Sequence, residues 1–156
     1  KEDSMFKATP NGHEHTTQLI EQVSQFNNGL FMDGTPIKHP GKPFHFGVAA
    51  YPEKHEEAPN LEMDMAYLKM KQDLGAEYAV TQLFYDNKKY FEFVEKARAM
   101  GITIPIIPGI KPFAKALGVE WTTAQCKELY DAGVKNSHFY TVSAVDSVCE
   151  VAKRLL

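Results

Sequence analysis

FHFGVAAYPEKHEEAPNLEMDMAYLKMKQDLGAEYAVTQLFYDN, Phe44 to Asn87, decides the fold. Its first apolar run, Phe44 to Ala50, reads as a buried strand. The run stops at a loop, Tyr51 to Pro59, that holds a tyrosine, a histidine, a lysine, three glutamates and two prolines. Asn60 is a good helix N-cap, and Glu62 and Asp64 sit near the positive end of the helix dipole. Leu61, Met65 and Leu68 recur at helical spacing and predict the core face. Leu74-Gly75 predicts the helix end, because glycine takes the left-handed conformation freely. A second apolar strand, Tyr78 to Phe84, runs into Asp86 and Asn87 and carries Thr81 and Gln82. The pattern is a β-loop-α-β unit, and parallel α/β folds gather their sites at the C-terminal ends of the strands.

On the predicted helix, Asp64, Tyr67 and Lys71 stand at i, i+3 and i+7 and share one stripe. That stripe lies beside the Leu61/Met65/Leu68 face, where an acid and a base can reach a bound ligand. On spacing alone it also reads as an exposed charge pair beside a rim tyrosine, since most surface charges contribute little.

The chain has 156 residues, 44% of them hydrophobic and 12% aromatic, with a formal net charge of −3. One domain with a sizeable core is expected. The charge gives no support for a nucleic acid or an anionic membrane as partner, and no apolar run approaches a membrane span. Cys126 and Cys149 show neither metal spacing nor a disulfide framework; both are expected to be small core residues in a reducing cytoplasm. His13 and His15 have no third ligand nearby and read as a polar loop. Glu53, Glu56 and Glu57 read as a solvated acidic run, so no metal site is expected.

Outward from the central unit, Lys1 to His15 reads as an irregular lead-in. Thr16 to Phe26 is an amphipathic helix with Leu19, Ile20, Val23 and Phe26 on one face. Asn27 to Pro43 is a loop rich in Gly, Pro and Asn, with Leu30-Phe31-Met32 packing as a plug. Asp86 or Asn87 caps a helix running to Met100, with Tyr90, Phe91, Val94 and Ala97 inward. Pro105 to Ile110 is a third strand. Ala114 to Ala132 is helical, with Leu117, Trp121, Leu129 and Tyr130 as candidate core residues. Ser137 to Val142 is a fourth strand, and Ala144 to Leu156 a closing helix with Val148, Val151, Ala152 and Leu155 inward.

AAYPEKHEEAPNLEMD, then LKMK, GAEYAVTQLFYDN, IPIIPGIKP and HFYTV, in that order and spacing, resemble the methylenetetrahydrofolate reductase family. The resemblance runs from about Gly12 to the C-terminus. It implies an α/β chain of the (β/α)8 TIM-barrel family, here an incomplete barrel of about four β/α units. A complete barrel takes roughly 250 residues, so residues 1–156 are expected to form a single partial barrel domain. In the family, the strand ending in PGIKP leads into a long loop and further helices. Here Pro112 runs almost directly into a late family helix, which places a missing segment between 112 and 113. The same comparison puts the family's first strands, with its catalytic glutamate and an Arg-Gly-Asp turn that meets the flavin, outside this sequence.

The resemblance further implies reduction of 5,10-methylenetetrahydrofolate to 5-methyltetrahydrofolate, in one-carbon metabolism and methionine synthesis. A nicotinamide cofactor, NADH or NADPH, reduces bound FAD in a ping-pong cycle. Carried over by motif, Tyr51, His55, Ala58, Asp64, Tyr67 and Lys71 are the FAD-binding residues. A lysine can neutralise a diphosphate, and Asp64 and His55 can bind ribose or ribityl hydroxyls. Taken without the family, His55 is equally a loop histidine bonded to backbone, and Tyr51 an aromatic wedge. Gln82 is implied as the catalytic residue that positions folate and nicotinamide, because an amide both donates and accepts. The other reading of Gln82 is a buried glutamine bonded to neighbouring backbone; Phe84 and Tyr85 read as packing residues. After HFYTV the family often carries a basic residue facing the folate tail, where this chain has Ser143-Ala144-Val145. The partners implied are the folate substrate and, for the full-length protein, a homo-oligomer in the cytoplasm. The competing expectation is a non-catalytic half-barrel that self-associates or binds a partner through its open sheet edges. An aldolase or phosphate binder lacks support, for want of a strand-end Schiff-base lysine or a glycine-rich phosphate loop.

Overall fold

The computed structural model describes residues 7–113 and 116–156. The elements are α1 (Thr16–Asn27), β1 (Gly47–Ala50), α2 (Leu61–Asp73), β2 (Tyr78–Thr81), α3 (Asn87–Ala99), β3 (Ile106–Ile107), β4 (Gly109–Ile110), α4 (Ala116–Asp131), β5 (His138–Phe139) and α5 (Val145–Leu155). Every strand pairing is parallel. Gly47 to Ala50 stand opposite Tyr78 to Thr81, Ala79 and Val80 opposite Ile106 and Ile107, and Gly109 and Ile110 opposite His138 and Phe139. The protein is therefore α/β, with its strands in two parallel sheets, β1-β2-β3 and β4-β5.

The third strand is divided where a single run was expected. Pro108 has no N–H to give to a ladder, and it separates β3, which pairs with β2, from β4, which pairs with β5. The Pro108 carbonyl still accepts the His138 N–H at 2.9 Å, and the Ile110 carbonyl accepts that of Tyr140 at 2.8 Å. Glycine is required at position 109, because a Cβ there would collide with the Thr81 carbonyl. That close approach lets the Gly109 N–H reach Thr81 Oγ1 at 2.8 Å.

The helix ends follow their local chemistry. Asn60 accepts the Met63 N–H, and Asp86 accepts that of Lys88. Gly75, at φ +106°, terminates α2. Met65 and Leu68 of α2 are buried, and Leu61 packs partly against them. In α3 the most buried side chains are Tyr90, Phe93 and Ala97, with Phe91 and Val94 packed at the edge. Tyr90 stacks on Phe84 and donates to the Ile106 carbonyl at 2.7 Å, which fixes α3 over β3.

Several expectations about the periphery are corrected. In α4, Leu117 is 78% exposed, Trp121 56% and Tyr130 36%, and only Leu129 of the expected face is buried. The face turned inward carries Val119, Thr122, Gln125, Cys126 and Leu129. Gln125 Nε2 donates to the Phe84 carbonyl, and Thr123, also buried, donates through Oγ1 to the Val119 carbonyl. The first two residues of the expected helix, 114 and 115, lie outside the described residues. Leu19 of α1 is exposed, because only Ile20 reaches the core. Leu30, Phe31 and Met32 do not form a buried plug; each is exposed, and Phe31 meets Phe26 edge-on. Cys126 is buried, but Cys149 is exposed. In α5, Val151 is fully buried, with Leu155 packed against the same core.

Candidate functional site

The chain leaves β1 at Ala50 and turns at once: the Lys54 N–H bonds the Tyr51 carbonyl at 3.2 Å. From there to Pro59 several main-chain groups find partners within the loop and on α2. The His55 N–H donates to Asp64 Oδ2 at 2.8 Å, which ties the loop to the first turn of α2. The Glu57 N–H donates to His55 Nδ1 at 3.2 Å, and the Ala58 N–H to the His55 carbonyl at 3.1 Å. With Nδ1 accepting, the neutral imidazole carries its proton on Nε2 and offers it outward. The Tyr51 and His55 rings meet edge to face at 4.5 Å. Ala58 is buried, so its contribution is its backbone.

Asp64 and Lys71 stand two turns apart on α2. Burial pushes the Lys71 ammonium below the usual lysine range, while the Asp64 charge pulls it back up. Among the described residues Lys71 forms no ion pair and Asp64 Oδ1 no hydrogen bond. Burial lifts the Tyr51 phenol above its usual range, with the charges of Asp64, Tyr140 and Glu57 adding to it. Tyr51, His55 and Asp64 are therefore neighbours at the C-terminal end of β1, and Lys71, in the last turn of α2, is linked to them through the charge of Asp64. Tyr67 shares their helix but is 42% exposed, and no recorded hydrogen bond holds it to them.

Gln82 follows β2, and its N–H continues the ladder to the Ala50 carbonyl at 2.7 Å. Val48, Ala50, Ala79 and Thr81 are the buried alternate positions of the two strands, whereas Ala49, Tyr78 and Gln82 occupy the exposed ones. The Gln82 side chain is thus exposed, and its Oε1 accepts the Leu83 N–H at 3.0 Å. That leaves the amide nitrogen as the outward donor. Phe84 packs in the core, and Tyr85, 45% exposed, packs at the surface by stacking on Phe113 at 4.8 Å.

Two residues were missed by reading the sequence. Tyr140, just past β5, donates to the Thr81 carbonyl at 3.0 Å and lies close enough to raise the Tyr51 phenol. Its position at the C-terminal end of a strand was the available signal. Lys54 is the second; its place in an acidic run concealed that its Nζ bonds three carbonyls of its own loop.

A family model described as methylenetetrahydrofolate reductase matches residues 1–117. The chain belongs to the methylenetetrahydrofolate reductase family. A probable methylenetetrahydrofolate reductase (NADPH) of Caenorhabditis elegans is 32% identical over 150 residues, covering 74% of this chain and 23% of its own. A probable methylenetetrahydrofolate reductase (NADH) of Oryza sativa is 31% identical over 158 residues, covering 74% and 27%. The 5,10-methylenetetrahydrofolate reductase of Escherichia coli is 31% identical over 137 residues, covering 66% and 46%. This family is enzymatic. The chain spans under half the length of each of these relatives. Each match is also longer than this chain's share of it: 74% of 156 residues is about 115, against 150 and 158, and 66% is about 103, against 137. Roughly 34 to 43 positions inside the matched region therefore belong to the methylenetetrahydrofolate reductases named and not to this chain. No helix among the described residues is long and apolar enough to cross a membrane.

Proposed function

We propose that this chain is part of a flavin-dependent methylenetetrahydrofolate reductase, a homo-oligomer of the cytoplasm, and carries one wall of its FAD site. The observation that carries the reading is the half-buried Lys71 ammonium, unpaired among the described residues and within the field of Asp64, whose carboxylate also holds the His55 N–H of the strand-end loop. An unpaired cation with a depressed pKa fits an anionic diphosphate, whose charge would restore the ammonium to its ordinary range. Asp64 Oδ1 and the His55 Nε2 proton would serve as acceptor and donor for the sugar and ribityl hydroxyls. Tyr51 and the Ala58 backbone would close the loop side, with Tyr67 at the rim. FAD bound there would relay hydride from NADH or NADPH to the folate. Gln82, on the exposed strand face, would position nicotinamide and pterin through its outward amide.

In this reading residues 1–156 form one incomplete (β/α)8 barrel. The same reading puts a missing segment after Pro112, where PGIKP meets a late family helix; the extra positions of the relatives support a gap of that kind. A site with one wall buries little of its ligand, so the chain alone is expected to be inactive and to hold FAD only at micromolar strength or weaker. Titration with FAD, followed by flavin fluorescence, tests this; submicromolar binding would contradict the one-walled site. The exposed Leu117 and Trp121 support a second reading, a half-barrel that self-associates. Light scattering across a dilution series distinguishes it by a mass that doubles with concentration.

A further inference from the structure

We infer that Lys54 is a positioning residue. Its ammonium fills a cradle of main-chain carbonyls, as a bound monovalent cation would, and thereby holds the Tyr51–Pro59 loop in the shape that presents Tyr51 and His55. The geometry is direct. Nζ donates to the carbonyls of Ala58 at 2.6 Å, His55 at 2.9 Å and Glu56 at 3.3 Å. An ammonium has three N–H donors and no acceptor, so the cradle matches its bonding capacity.

The backbone supplies an independent observation. Lys54 has φ +95°, a conformation that glycine takes freely and a lysine does not. The turn alone would favour glycine; the side chain is what favours lysine. The three carbonyls it answers belong to the residues whose N–H groups bond His55 and Asp64, or to their immediate neighbours. Without Lys54, these carbonyls turn to water and the His55–Ala58 turn loses its closure.

The consequence for a flavin rests on the function proposed above; the cradle itself does not. The test is therefore made first without flavin, by amide hydrogen exchange on the parent chain and on Lys54→Gly and Lys54→Met. Lys54→Gly suits the backbone better than the parent, and Lys54→Met keeps the stem without the charge. Both are expected to speed exchange at Glu57 and Ala58 roughly tenfold, while Val48 and Ala79 in the sheet stay as slow as in the parent. Ammonium chloride is expected to slow the loop amides of Lys54→Gly again, and tetramethylammonium chloride at equal ionic strength is not. Parent-like protection in Lys54→Gly or Lys54→Met, or an equal response to both salts, would overturn the inference. FAD titration of the same variants follows. Altered exchange with an unchanged flavin response would leave the cradle standing and remove the loop from the flavin site.

Discussion

The β1–α2–β2 unit and the β4–α4–β5 unit have the same topology and opposite surfaces. In the first, the loop after the strand closes its polar groups on itself and on α2, and the charges gather beside it. In the second, the strands are two residues long, the inward face of α4 is largely polar or small, and Trp121 and Leu117 face outward. Both units are stably placed because burial and hydrogen bonding are satisfied separately. The first buries apolar Met65 and Leu68; the second buries Thr123 and Gln125 and answers them with the carbonyls of Val119 and Phe84. The size of a side chain therefore does not say which face of a helix is inside.

The comparison breaks most sharply at α4. Leu129→Ala is expected to cost about 2–5 kcal/mol of stability, while Trp121→Ala costs less than about 0.5 kcal/mol. Urea melts of both variants measure the difference; equal losses would mean that Trp121 is packed. Next in size, Gln125→Leu strands the Phe84 carbonyl and is expected to cost about 1–3 kcal/mol by the same melts.

Alkaline pH acts on both units, through groups of opposite sign. Burial pushes the Cys126 thiol in α4 up to about 11 from its ordinary 9.0. The folded chain thus keeps a proton that the unfolded chain releases. Its stabilising contribution is complete below pH 9 and is lost as pH rises towards 11. Tyr90 acts in the same direction above pH 10. Lys71 in α2 acts oppositely: its lowered pKa costs stability at neutral pH, and the cost vanishes as pH passes 10.5. Thermal melts from pH 8 to 11 are expected to show falling stability, shallower in Cys126→Ala. Lys71→Met is expected to be slightly more stable than the parent at pH 7, the gain small because the group is only partly buried. The smallest effect is kinetic: a thiol reagent should label Cys149 rapidly and Cys126 only on unfolding.

The central unit was legible because its signals are local. Asn60, Gly75 and Asp86 each dictate a helix end through their own side chain or φ, and Met65 and Leu68 mark one face by spacing. The proposed cofactor stripe was legible only in part: Asp64 and Lys71 share a face by periodicity, yet the His55 N–H that ties the loop to Asp64 depends on a turn that no spacing encodes. The α4 face was misread because Gln125 and Thr122 are buried by partners distant in sequence, Phe84 among them. Tyr140 escaped for the same reason, since the Thr81 carbonyl it reaches is distant in sequence; the carbonyls of Lys54 are local, and its acidic neighbours concealed them.

The most direct test is an NMR titration of the isotope-labelled chain with FAD, read amide by amide. The account expects saturable shifts centred on Tyr51, His55, Ala58, Asp64 and Lys71, with Gln82 at the margin and α5 unmoved, and their loss in Lys71→Met. Shifts centred on the exposed α4 face around Trp121, or none as FAD rises, would contradict it.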